Sequence, residues 1–304
     1  MIAQIYEIQT QREAETCIEL GVDHLGSILA SNTAWRQPTL KDVMRATAGS
    51  AAKNSLIPLF NEPEVLYNVL DYYEPHYIHF CESLVHADRT LMDMERLAAI
   101  QSGIKERFPE IGIIRSIPIP PERLSHDFPT LAIAATLEPV SDFFLTDTWL
   151  GKEPVDGHIG ITGRPQDWAL AADLIDNSGI PVILAGGLSP ENVYDATLKT
   201  LPAGADSCTL TNAPDADGRP VRFNKDFSRV RKFVKEIRRA EKTVGAEIDA
   251  AKSRLAHLKA KLEDREAALP AHSIRPHQLQ IIEELEEEIV RIKQELQRLE
   301  KTGL

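Results

Sequence analysis

Pro181-Val-Ile-Leu-Ala-Gly-Gly-Leu-Ser-Pro-Glu-Asn-Val193 decides the fold. Val182, Ile183 and Leu184 run without polar alternation, as does a strand buried on both faces of a parallel sheet. The pair Gly186-Gly187 then turns the chain, and Ser189 with Pro190 behind it reads as the N-cap and first position of a helix. Open amides at a glycine turn beside a helix start attract anions, phosphate above all. Taken alone, the pattern marks only a tight strand-to-helix turn.

Working outward, six candidate strands precede this one: residues 2–8, 23–29, 55–60, 76–80, 111–117 and 142–147. One more follows at Asp206–Leu210. Helices are predicted over 11–20, capped by Thr10 and stopped by Gly21, and over 39–47, 61–73, 90–108, 129–137 and 165–177. The last barrel helix starts at Asn224-Lys-Asp. Eight strand–helix units within about 235 residues predict a closed (β/α)8 barrel, class α/β. An open doubly wound sheet more often carries a GxGxxG near its start, and none is present.

Beyond about Lys235 the pattern changes. Val244, Ile248, Ala251, Leu255, Leu258 and Leu262 recur in steps of three and four, and Ile282, Leu285, Ile289, Ile292, Leu296 and Leu299 repeat the seam after the break Leu269–Pro276. Two seams of similar length predict an antiparallel coiled-coil hairpin over 238–304, appended to a barrel over 1–237. The first arm is rich in Lys and Arg, the second carries Glu283, Glu284, Glu286, Glu287 and Glu288, and opposite charge supports their pairing. Such a hairpin stands alone as a prong or joins a second copy or another protein.

A net charge of −12, with no basic cluster interleaved with aromatics, argues against nucleic acid as a partner. No apolar run approaches the roughly 20 residues of a membrane span. The opening Met1-Ile-Ala-Gln-Ile lacks a basic start and long apolar core, so a cytoplasmic protein is expected. Cys17, Cys81 and Cys208 are odd in number and far apart, which suggests neither a disulfide frame nor a structural zinc.

Barrel active sites form at the C-terminal ends of the strands. There the sequence offers Glu7, Arg36, His79, Arg115, Asp147, Gly186, Gly187, Asp206 and Thr209. The loops after the seventh and eighth strands are the usual phosphate position in such barrels. Glu7 and Asp147, from the first and sixth strands, are expected to face each other as general base and general acid, provided that strand alternation turns Glu7 inward. His24 and His76 read as structural histidines, and Cys208 as a small buried residue with no base beside it.

The stretch 181–193 and Gly160-Ile-Thr-Gly-Arg-Pro-Gln-Asp-Trp168 resemble the phosphoribosylanthranilate isomerase family of (β/α)8 enzymes. Phe144–Asp147, Leu59–Pro63, Gly26–Leu29 and Trp35-Arg36 support the resemblance, which spans residues 1–237. The resemblance implies an aldose–ketose (Amadori) isomerisation in tryptophan biosynthesis, on a phosphorylated substrate. Asp147 matches the family's acid, Arg36 the arginine that contacts the anthranilate carboxylate, and Gly186-Gly187 the phosphate loop. Proton shuttling alone moves the double bond in such an isomerisation, so no metal or redox cofactor is expected.

Three places depart from the family. Its strand-one Cys-Gly-Leu-Thr, which carries the cysteine base, reads Glu7-Ile8-Gln9-Thr10 here. Leu210 stands for a phosphate-loop glycine, and Phe80 for the glycine after the strand-four histidine. Glu7 as a substitute base is therefore one expectation. The other is a divergent barrel that binds a phosphorylated metabolite, with other chemistry or none, and assembles or signals through its hairpin.

Overall fold

The protein is described from a computed structural model that covers residues 1–270 and 275–304. Residues 271–274, within the break expected between the two long arms, lie outside the described residues.

The chain alternates strand and helix: β1 (Ile2–Ile5), α1 (Gln11–Glu19), β2 (His24–Leu29), α2 (Pro38–Thr47), β3 (Lys53–Pro58), α3 (Pro63–Tyr73), β4 (Tyr77–Phe80) and α4 (Met94–Arg107). It continues through β5 (Gly112–Ile119), α5 (Thr130–Leu137), β6 (Phe143–Thr148), α6 (Trp168–Asn177), β7 (Val182–Leu184), α7 (Val193–Thr200) and β8 (Gly204–Ser207). All eight strands pair in parallel and in sequence order, and β1 closes on β8.

Strand alternation sorts the buried residues into two layers. Ala3, Ile5, Leu25, Ile78, Phe80, Ile113, Ile117 and Phe144 pack outward against the helices. Tyr6, Ile28, Ile57, Ile114, Leu145 and Ile183 fill the barrel. Local signals act as the residue types dictate. Thr10 and Glu13 form a reciprocal capping box at α1, and Asp167 caps α6.

Three local expectations are corrected. The helix after β7 starts at Val193 rather than at Ser189. Asn192 intervenes: its Oδ1 accepts the Ser189 N–H at 2.8 Å and its Nδ2 donates to the Gly187 carbonyl at 3.0 Å, locking a turn ahead of the helix. β1 ends at Ile5, and Glu7 adopts φ 63. β8 ends at Ser207 because residues 209–211 form a 3-10 turn.

Before the final helices the chain adds a two-stranded antiparallel ribbon, β9 (Asn212–Pro214) and β10 (Pro220–Lys225). Helix α8 (Phe227–Ala267) then runs unbroken for 41 residues, through the boundary expected at 237/238, and α9 (Pro276–Glu300) packs along it. Val244, Ile248, Ala251 and Leu258 meet Leu285, Ile289, Ile292, Leu296 and Leu299 in one apolar seam, and Arg254 pairs with Glu288 across it. The far end of α9 returns to the barrel. Arg298 Nε bonds Asp176 at 2.9 Å, and Lys301 Nζ donates to the Ile175 and Ser178 carbonyls at 3.1 and 3.3 Å, where the C-terminal dipole of α6 favours a cation. Among the described residues no helix is long and apolar enough to cross a membrane.

Candidate active site

The C-terminal mouth of the barrel holds a cavity lined by Tyr6, His79, Asp147, Asp206, the Gly186-Gly187 turn and Thr209. Apolar side chains narrow it, Ile161 and Leu210 among them.

Asp147 and Asp206 are the carboxylates of this cavity. Burial pushes the Asp147 carboxyl up to about 7, against a 2.8 Å hydrogen bond that its Oδ1 accepts from the Thr148 N–H. Burial, and then the charge of Asp147, hold Asp206 well above the ordinary carboxylate range. Gln4 Nε2 donates to Asp206 Oδ1 at 3.3 Å, and Gln4 Oε1 lies 3.2 Å from His24 Nδ1, so a buried chain fixes Asp206 from below. Two carboxyls whose environments disfavour double ionisation suit proton transfer.

Tyr6 takes the inward place at the end of β1. Gly26 makes room for it, since a Cβ there would lie 1.8 Å from the ring. Ser55 Oγ donates to the Tyr6 hydroxyl at 3.0 Å, which leaves the Tyr6 proton for His79 Nδ1 at 2.5 Å. His79 Nε2 then donates to Ser116 Oγ at 2.7 Å. Burial first, and Arg115 second, lower the His79 pKa to about 3, so the ring is neutral.

Glu7 does not face the cavity, which corrects its expected position opposite Asp147. With Ile5 outward and Tyr6 inward, the next residue leaves the barrel. Its buried carboxylate accepts from Arg222 Nε at 2.7 Å, Asn212 Nδ2 at 2.8 Å and the Phe223 N–H at 3.2 Å. Burial alone would raise its pKa, but these donors and Lys225 bring it below the usual value.

Arg36 and Arg115 are corrected likewise. Arg36 is exposed and stacks on Trp35 and Tyr72, at 4.9 and 5.7 Å from the ring centroids. Arg115 alternates with the inward Ile114 and Ser116, lies outside the barrel wall, and is fully buried against Glu82 at 2.6 Å. Phe80 also points outward and leaves the cavity untouched, whereas Leu210 lines it.

Gly186 and Gly187 line the cavity, and among the described residues their amides donate to no protein acceptor. The loop after β6 closes over this turn. Gly160, at φ +97, lets it pass Asp147, because a Cβ there would sit 2.1 Å from Asp147 Oδ2. Next to it Ile161 holds φ 60, a left-handed conformation that costs a β-branched residue energy. Cys81 and Cys208 also line the cavity, and burial pushes both thiols up, away from nucleophilic use. Among the described residues no cluster of three metal-ligating side chains forms.

No protein-family model matches the chain. Curated relatives do. The chain is 29% identical over 157 residues to an N-(5'-phosphoribosyl)anthranilate isomerase of Methanosarcina acetivorans, covering 51% of this chain and 59% of that protein. It is 38% identical over 118 residues to the protein of the same name from Haloferax volcanii, covering 39% and 48%. The match thus spans about half the length of these relatives. Among solved structures, a phosphoribosylanthranilate isomerase from Thermotoga maritima aligns with TM-score 0.55 at 20% identity, over 78% of this chain and 99% of that one. One from Pyrococcus furiosus aligns with TM-score 0.54 at 19% identity, over 79% and 99%. At that identity the structures speak for the fold alone. Over part of its length this chain is thus similar in sequence to phosphoribosylanthranilate isomerases, and it shares their barrel architecture, with a pair of long C-terminal helices added to the barrel.

Proposed function

We propose that the barrel is an aldose–ketose isomerase of the phosphoribosylanthranilate isomerase type, acting on a phosphorylated sugar derivative through Asp147 and Asp206. One observation carries this reading: two buried carboxyls of raised pKa line a single cavity at the ends of β6 and β8. The free amides of Gly186 and Gly187 are the phosphate donors, with Thr209 beside them. A structure of a related isomerase is described as a complex with reduced 1-(o-carboxyphenylamino)-1-deoxyribulose 5-phosphate, a ligand of this phosphosugar class.

In such a reaction an acid protonates the ring oxygen as its bond to C1 breaks, a base takes the C2 proton to give an enolamine, and C1 then gains a proton as the C2 hydroxyl loses one, leaving the ketone. Asp147, steadied by the Thr148 amide, ionises first of the pair and is the base. Asp206, which burial and then the charge of Asp147 raise well above the ordinary carboxylate range, is the acid. This exchanges the role that the family resemblance implies for Asp147 and leaves none for Glu7. His79 is neutral and hydrogen-bonded at both nitrogens, so it orients Tyr6 rather than shuttling protons.

A second reading draws on the narrowness of the cavity. Ile161 and Leu210 put apolar side chains into the cavity, which favours a barrel that binds a different phosphorylated metabolite and assembles with a second copy or another protein through residues 238–304. Turnover of freshly made phosphoribosylanthranilate by the wild type, Asp147→Asn and Asp206→Asn separates the two. Activity that falls at least about a hundredfold in both variants supports the isomerase, since general acid–base groups contribute about 10²–10⁴-fold. An inactive wild type sinks it.

A further inference from the structure

We propose that Glu7 is a positioning residue, whose carboxylate latches the β9–β10 ribbon and thereby sets the Thr209–Leu210 wall of the cavity. Among the described residues its oxygens bind only groups of that ribbon: Asn212 at its start, and Arg222 and the Phe223 amide in its return strand. From the other side, Lys225 Nζ donates to Asn212 Oδ1 at 2.6 Å and to the Cys208 carbonyl at 2.8 Å. Cys208 and Asn212 bracket Thr209 and Leu210, so whatever fixes those two ends fixes the wall between them.

Little else holds the ribbon. Pro220 to Asn224 are exposed, and Phe223 is kept at φ 60 while offering its amide to Glu7. Outside the ribbon, the Asp226 N–H bonds the Thr211 carbonyl at 3.0 Å, and Arg229 Nε bonds the Leu210 carbonyl at 2.7 Å. Those contacts hold the outer edge of the turn, whereas Glu7 ties the ribbon to β1 across the closure of the barrel. This buried carboxylate is held by an arginine, an amide side chain and a backbone N–H, and it does not line the cavity. It therefore acts on the cavity through the ribbon.

The test needs no substrate. Amide hydrogen exchange over residues 208–225, and the rate at which a neutral thiol reagent labels Cys208, with the site mapped by mass spectrometry, are measured in the wild type, Glu7→Gln, Arg222→Gln and the double variant. Both single variants are expected to speed exchange and Cys208 labelling at least about tenfold, the double variant no further than the faster single, and Arg222→Lys to restore slow labelling. Unchanged exchange and labelling in both single variants overturn the latch, as does a double variant in which the two effects add in full. Arg222 is half-exposed, so Arg222→Gln keeps the test open if Glu7→Gln does not fold.

Discussion

The Tyr6 hydroxyl lies 2.5 Å from His79 Nδ1 inside the barrel, joining β1 to β4 in the row of polar groups that begins at Ser55 and ends at Ser116. Removing that hydroxyl leaves His79 and Ser55, both buried, without a shared partner. Tyr6→Phe is expected to lose about 1–3 kcal/mol of stability, the cost of unsatisfied buried polar groups. Urea unfolding measures it, and an unchanged midpoint would show that the chain of hydrogen bonds contributes nothing.

Asp147 ties stability to pH with a definite sign. Its folded pKa, about 7, lies above the ordinary value of 3.8, so between those limits the folded state holds a proton that the unfolded state has released. Stability from this group is therefore fully present below about pH 4 and is lost as pH rises through about 7. Asp206 acts in the same direction. Asp147→Asn should flatten the decline, so that the variant overtakes the wild type in melting temperature at pH 8 but not at pH 4.

The loop after β6 makes two opposed predictions. Gly160→Ala places a Cβ 2.1 Å from Asp147 Oδ2 at φ +97, so it should cost more than the roughly 1–3 kcal/mol of backbone strain alone and displace the carboxylate. Ile161→Gly relieves roughly 1–2 kcal/mol of left-handed strain, offset by about 0.5–1 kcal/mol of glycine entropy, and widens the cavity. Thermal melts and a crystal structure of each variant check both outcomes.

Ile292 sits at the centre of the seam between α8 and α9. Ile292→Ala should destabilise these helices by about 2–5 kcal/mol, as buried large-to-small substitutions do. Hydrogen exchange should then rise in α9 and the outer half of α8 while the barrel strands stay protected. Equal loss of protection in β1–β8 would mean that barrel and hairpin unfold as one unit.

Much of the fold is written in local patterns. The apolar run Val182–Leu184, the capping box at Thr10 and the three-and-four spacing from Val244 to Leu299 each specify their element through near neighbours. The ribbon is harder to read, although Asp217-Gly218 is a turn signal, because β9 is only three residues long and β10 is exposed. The site is less legible still. Whether Tyr6 or Glu7 faces inward depends on a one-residue parity that Ile2, Ile5 and Ile8 leave ambiguous, since both faces of β1 are apolar. Arg115 and Asp147 both stand near strand ends, yet alternation sends one outward and the other into the cavity. Asp206 becomes a partner of Asp147 only once the barrel closes.

The pH dependence of kcat/KM for phosphoribosylanthranilate tests the central claim most directly. With Asp147 as the base and Asp206 as the acid, kcat/KM should rise with pH through about 7 in the wild type and collapse in both Asp→Asn variants. A profile that falls through that range, or an Asp206→Asn enzyme with wild-type turnover, would contradict it.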